Sequence, residues 1–274
     1  MNLVDVIKTR KSCRTYRQIF LDPADKKILE EYISNITDML GGEDIHLRII
    51  EKTGEGKRLE LNYGMITGHN TYVLGSSKSL PDSRVHYGYI MEKIVLKATE
   101  IGVSTCWIGY FDASYFSEIS IEKGYEIPSI VILGYEGERQ SRAERITRFA
   151  VSASQRLEWQ KLFFDFNSGI PLNPDTSNEY SLSFEMVRLA PSAGNTQPWR
   201  IFSDDVSGEF HFFKKPVSKR YEERGLHDID IGIAMAHFEL ASEYIGLSGT
   251  WIKKPGISAS HANDLQYVIT WECG

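Results

Sequence analysis

The sequence predicts a mixed helix-and-strand protein built twice from one unit, and three observations carry that expectation. Segments with helical spacing alternate with short apolar runs suited to strands. A stretch of 20 residues recurs, without a gap, 144 residues further on. A Pro- and Asn-rich stretch near the middle divides the chain into a longer and a shorter half.

Leu3, Val4 and Ile7 sit at helical spacing and predict a short amphipathic helix over residues 3–9. Asp22-Pro23 marks a helix start, with Ile28, Leu29, Tyr32 and Ile33 as its apolar stripe. His46 to Ile50 and Thr71 to Leu74 read as strands. Tyr87 to Ile101 reads as a helix that ends before Gly102, a C-cap residue. Ile127 to Leu133 is a short apolar run, suited to a buried strand. Residues 154–166 read as helical, and residues 168–178 as the linker. The expected organisation is an N-terminal half over 1–167 and a C-terminal half over 179–274.

The halves are related. Gly88, Met91, Leu96, Ile101, Gly102, Ser104 and Trp107 each recur 144 residues later, as Gly232, Met235, Leu240, Ile245, Gly246, Ser248 and Trp251. A helix, then Gly-x-Ser-x-x-Trp, is a specific order for chance to repeat. Leu47-Arg48-Ile49 also sits in its half much as Trp199-Arg200-Ile201 sits in the other. One unit used twice suggests an intramolecular copy of a two-fold dimer, so the chain is expected to act as a monomeric pseudo-dimer.

Composition excludes several classes. At 274 residues, 42% hydrophobic and 25% charged, the chain is long enough to bury a large core. No apolar run approaches the roughly 18 residues that span a bilayer, and Met1 to Lys11 lacks the apolar region of a signal peptide. The expectation is a cytoplasmic protein with no membrane partner. A net charge of −6 argues against nucleic acid. Cys13, Cys106 and Cys273 lie far apart, which suits neither a disulfide framework nor a metal site.

Three segments carry chemistry. Arg10-Lys11-Ser12-Cys13-Arg14 is locally basic in an acidic chain; Arg offers a planar fork that fits phosphate, and Ser12 adds a hydroxyl. Ala190-Pro-Ser-Ala-Gly-Asn-Thr-Gln-Pro-Trp199 packs neutral hydrogen-bonding groups between two prolines, which suits the polar edge of a heterocycle better than proton transfer. Gly102 to Phe111 and Leu133 to Arg139 place Gly109 and Gly137 where backbone can approach a flat ligand. Arg139, Arg142, Arg145 and Arg148 recur every three residues, the spacing of a solvated helix face from which one or two could reach a phosphate. No side chain has the setting of a general acid or base, and His69, His86 and His237 read as structural.

The Ile-x-x-Arg-Lys-Ser-x-Arg-x-Tyr core at the N-terminus resembles the opening of the FMN-dependent nitroreductase family. Ala190 to Trp199 resembles that family's Pro-Ser-x-x-Asn-x-Gln motif, and Gly102–Phe111 and Leu133–Glu138 its third and fourth. The resemblance implies an α+β fold of three layers, a mainly antiparallel sheet with helices on both faces. In the family this is built as a homodimer with FMN at the interface. It also implies FMN as cofactor, NADH or NADPH as electron donor, and a small electron-poor acceptor such as a nitroaromatic or quinone. Arg10, Lys11, Ser12 and Arg14 would hold the phosphate and ring edge. Pro191, Ser192, Asn195 and Gln197 would contact the ring or ribityl chain. The backbone near Gly109 would face the flavin N5, with Arg139 and Arg142 as further phosphate candidates.

The order of motifs departs from the family. The Pro-Ser-x-x-Asn-x-Gln motif belongs about 25 residues after the Arg-Ser motif, but Thr37 to Asp44 holds none of it. The second half, in turn, lacks an Arg-x-Ser-x-Arg. The chain thus resembles the two-domain, fused TM nitroreductase-like branch, in which complementary halves complete one flavin site instead of two. A flavin-binding protein with little or no turnover is the alternative.

Overall fold

The first helix begins where the sequence supplies a cap. In the computed structural model, Asn2 accepts the Asp5 N–H at 3.0 Å and opens α1 (Leu3–Thr9), whose Val6 and Ile7 are buried. Residues 1–38, 45–52, 66–138, 155–174, 179–258 and 264–274 are described. The chain falls into two compact units, Met1–Ala153 and Ser154–Gly274.

In the first unit α2 (Pro23–Asp38) starts at the expected Asp22-Pro23: Pro23 needs no N–H there, and Asp22 accepts from Ala24 N at 2.8 Å. Leu29 and Ile33 are buried as expected, but Ile28 is 38% exposed and lies off the apolar stripe, which continues instead to Ile36. The strands are β1 (His46–Glu51), β2 (Thr71–Lys78), β3 (Ser104–Ile108), β4 (Tyr125–Glu126) and β5 (Ile130–Gly134). They form a sheet of order β1-β2-β5-β3, antiparallel throughout, with β4 paired to the end of β2. Strand β5 starts later than its apolar run because Pro128 offers no ladder N–H. Helix α3 (Pro81–Glu100) connects β2 to β3 and ends at Gly102, whose φ is +84°.

The second unit repeats this plan. Helix α4 (Ser181–Leu189) leads to β7 (Trp199–Asp204) and β8 (Glu209–Lys214). A short α5 (Lys219–Glu223) and the long α6 (Leu226–Tyr244) follow, then β9 (Gly249–Ile252) and β10 (Gln266–Cys273). The order β7-β8-β10-β9 reproduces β1-β2-β5-β3, again antiparallel. The helix ends match atom for atom: Val103 N–H donates to Ala98 O and Leu247 N–H to Ser242 O, both at 2.9 Å. Gly246, like Gly102, has positive φ, at +81°. Each following tryptophan donates to a glutamate of the preceding helix, Trp107 to Glu92 at 2.7 Å and Trp251 to Glu239 at 2.6 Å.

Two expectations need correction. Described residues 155–166 form no α-helix. They make a 3-10 turn (Trp159–Lys161) and the strand β6 (Phe163–Asp165), which pairs parallel to β7. The reason is tertiary. Phe163 is fully buried and packs on Trp159 and Phe184, with ring centroids 4.8 Å apart in each pair. That burial outweighs local helix preference. The Ser168–Asn178 stretch is also not a free connection where it is described. Asp165 N–H donates to Ile170 O, and Leu172 N–H to Phe163 O, so the chain folds back onto β6. The units accordingly divide earlier, between Ala153 and Ser154.

Candidate functional site

The basic segment follows from the end of α1. Arg10 caps that helix, its N–H bonding Val6 O at 2.9 Å. Beyond it the chain runs extended and is stitched to two other segments. Cys13 N–H donates to Thr105 O on β3 at 2.9 Å; Gly137 N–H donates to Thr15 O at 2.8 Å, and Arg17 N–H to Tyr135 O at 2.9 Å. Three of the stretches singled out in the sequence therefore meet in the first unit. Cys13 and Tyr16 anchor the segment in the core, whereas Ser12 and Arg14 are half-buried.

The individual residues differ in what they have to spare. Lys11 is surface-exposed and already paired with Glu136 at 2.8 Å, a contact of the weak solvated type. Gly109 lies on the bend that ends β3. Gly137 uses its missing side chain for the protein itself, since a Cβ there would stand 3.1 Å from Thr15 Cγ2. Phe111, the last residue of the Gly102–Phe111 stretch, packs in the core against Phe116, centroids 6.1 Å apart. Arg139 and Arg142, with Arg145 and Arg148, lie outside the described residues.

Arg10 is the unusual member. Burial lowers the pKa of its guanidinium, the charge of Glu92 opposes that shift, and Arg14 adds to it. Arginine keeps its proton regardless, so this is a half-buried cation whose Nε is shielded from solvent. Its Nε has no acceptor among the described residues. Glu92, wholly buried on α3, also accepts the Trp107 indole. Neither Glu92 nor this pairing was read from the sequence. The available signal was a lone acid at position 92, inside the apolar stretch of the predicted helix.

In the second unit, Ala190 to Trp199 is the expected turn from a helix end into a strand, but a strained one. Gly194, Asn195 and Gln197 have φ of +56°, +57° and +48°; among the described residues the latter two are the only non-glycines in the left-handed region. Such residues cost about 1–3 kcal/mol each and persist only where the surroundings over-determine them. The ties are visible. Ser192 Oγ accepts from Gln197 N–H at 2.9 Å, and Asp230 Oδ1 accepts from Ala193 N–H at 2.8 Å. Asn195 Oδ1 accepts from Arg156 at 2.9 Å, and its Nδ2 donates to Gln155 O at 2.7 Å. Gln197 is 3% exposed; its Oε1 accepts from Leu157 N–H at 2.8 Å and its Nε2 donates to Asn195 O at 3.1 Å. The Asn195 and Gln197 amides thus fasten the loop to residues 155–157. Pro191 and Ser192 remain half-buried.

His237 is structural as expected: it is fully buried, with Nδ1 on Met186 O at 3.0 Å. Among the described residues no cluster of His, Cys, Asp and Glu could hold a metal, and no helix is long and apolar enough to cross a membrane.

Residues 2–242 match the family model described as "Putative TM nitroreductase", and the chain belongs to that family. A nitroreductase structure from Thermotoga maritima is similar at 19% identity over 99% of this chain and 93% of that one, with a TM-score of 0.60, which supports the fold. A nitroreductase family protein from Clostridium difficile matches at 20% identity, covering 54% of this chain and 92% of its own, with a TM-score of 0.40. A nitroreductase from Bacteroides fragilis, solved with bound FMN, matches at 18% identity over 50% of this chain and 90% of its own, also with a TM-score of 0.40. A comparison with curated proteins finds no match.

Proposed function

We propose that this chain is an FMN-dependent oxidoreductase, using NADH or NADPH to reduce an electron-poor acceptor such as a nitroaromatic or a quinone. The observation that carries it is Arg10, a half-buried cation whose shielded Nε has no acceptor among the described residues, at the point where three motif segments meet. A buried donor without an acceptor is expensive unless a ligand completes it, and a phosphate or the polar edge of a flavin supplies acceptors of the right charge. Bound FMN would supply the two-electron chemistry, while the protein supplies position and electrostatics.

In this reading Arg10, Ser12 and Arg14 bind and orient the cofactor from the first unit, with Lys11 adding long-range positive charge. The backbone around Gly109 lies beside the ring. Pro191 and Ser192 contribute from the second unit, and Asn195 and Gln197 hold that loop in shape. Arg139 and Arg142 rest on the sequence alone as phosphate ligands. Each unit carries the segment that the other lacks, and an internal duplication followed by complementary loss accounts for this. That supports one FMN per chain.

The test is the flavin content of purified protein, followed by reduction with NADH or NADPH. One FMN per chain, bleached rapidly by either donor, is the expected result. Two per chain would sink the complementary-loss argument. Bound flavin that neither donor reduces would favour a binding protein without turnover. Protein that takes up no added FMN would overturn the cofactor itself.

A further inference from the structure

We propose that Asp230 is the positioning residue of the Ser192–Gln197 loop, acting through its bond to Ala193, and that it sets how tightly the loop holds FMN; the inference rests on the cofactor reading above. The loop cannot keep its shape unaided. Two of its non-glycine residues, Asn195 and Gln197, sit at positive φ, so it relaxes unless it is held from outside. Beside the Arg200 guanidinium, which donates to Gln197 O at 3.0 Å, two sets of ties leave it among the described residues. One runs through Asn195 and Gln197 to residues 155–157, which make no α-helix or strand. The other runs through Ala193 N–H to Asp230 Oδ1, at 2.8 Å.

The second tie is anchored far better. Asp230 stands in the first turns of α6, a helix buried on every side from Leu226 to Glu239. Asp230 is 2% exposed, and its other oxygen lies 3.3 Å from His227 Nδ1. Asp228, two residues earlier, is engaged elsewhere by Lys214 at 2.6 Å. Burial pushes the Asp230 carboxyl above its ordinary pKa, while the Ala193 N–H and His227 pull it back towards the charged form. The loop is also pressed on its far side, where a Cβ on Gly194 would stand 2.6 Å from Tyr221 Oη. Ala193 is thus fixed by a buried hydrogen bond and Gly194 by contact, directly beside Ser192.

Asp230→Ala, Asp230→Asn and wild-type protein would be compared by FMN titration and by amide hydrogen exchange of the loop without cofactor. Asp230→Ala should exchange the Ala193–Gln197 amides faster and raise the Kd for FMN about tenfold or more, equivalent to about 1.4 kcal/mol. Asp230→Asn, whose amide oxygen still accepts from Ala193, should restore most of both. Wild-type protein that binds FMN alongside an Asp230→Ala protein of unchanged affinity overturns this inference alone. So does an Asp230→Asn protein as weak as Asp230→Ala. Wild-type protein that takes up no FMN overturns the cofactor reading and this inference with it. If Asp230→Ala does not fold, Asp230→Glu carries the same comparison, because it keeps the charge and displaces it by one methylene.

Discussion

Replacing Glu92 by alanine tests the electrostatic core of the first unit. The change removes the acceptor of the Trp107 indole, 2.7 Å away, and the strongest charge opposing the burial of Arg10. Leaving a buried N–H without a partner costs about 1–3 kcal/mol, and the part-buried Trp107 indole falls at the lower end. Removing one partner of a buried charge pair costs about 3–5 kcal/mol, because the other charge stays behind uncompensated; Arg10 is half-buried and can be partly solvated, so the lower end applies. The two overlap within a single deletion, so the expected loss is about 3 kcal/mol, a large share of the roughly 5–15 kcal/mol that holds a typical domain together. The charge outweighs the hydrogen bond. Glu92→Gln, which keeps an acceptor for the indole, should therefore recover only the smaller part. Urea unfolding followed by fluorescence separates the units: Trp107 is the only tryptophan before Ala153, and the other four lie beyond it. The transition assigned to Trp107 should move, and that of the second unit should not. A loss below about 1 kcal/mol in Glu92→Ala would show that Arg10 does not depend on this carboxylate, and Glu92→Gln at wild-type stability would show that the indole bond alone matters.

Gly102→Ala and Gly246→Ala should each cost about 1–2 kcal/mol. Both sites have positive φ and open space around an added Cβ, so the penalty is purely conformational; losses differing by more than about twofold between the units would count against equivalent helix ends. Acidification should weaken the second unit through His211, which is buried, bonds Thr270 Oγ1 at 2.9 Å, and has its pKa lowered mainly by burial. The unfolded chain takes up a proton that the native state refuses, so the stability present above about pH 6.5 is lost as pH falls. In His211→Asn the slope of stability against pH below about 6.5 should flatten, and an unchanged slope would exclude His211 as its source.

Much of the architecture was legible in local pattern. Asp22-Pro23 opens α2 because a proline is tolerated only in a first turn, and Gly102 closes α3 because the chain there needs positive φ. The repeat was readable because both units use the same helix end, and the motif segments were readable from residue type. Local pattern misled where packing decided. Residues 155–166 read as helix, yet Phe163 is drawn into an aromatic core and its strand pairs beside β7. The resemblance implied Gln197 as a flavin contact, and only the fold shows that its amide oxygen accepts from Leu157 N–H, a neighbour 40 residues away in the chain. Glu92 and Asp230 were invisible for the same reason. An acid within an apolar helix acquires meaning only from what lies opposite it, and here the fold sets Glu92 on the Trp107 indole and the side of Arg10, and Asp230 on the Ala193 amide. The sequence by itself determined the elements, their repetition and the chemistry of the segments, because those depend on near neighbours along the chain. The tertiary structure decided which polar groups are spent on the protein and which are left to bind, because burial and hydrogen-bond partners are set by contacts distant in sequence.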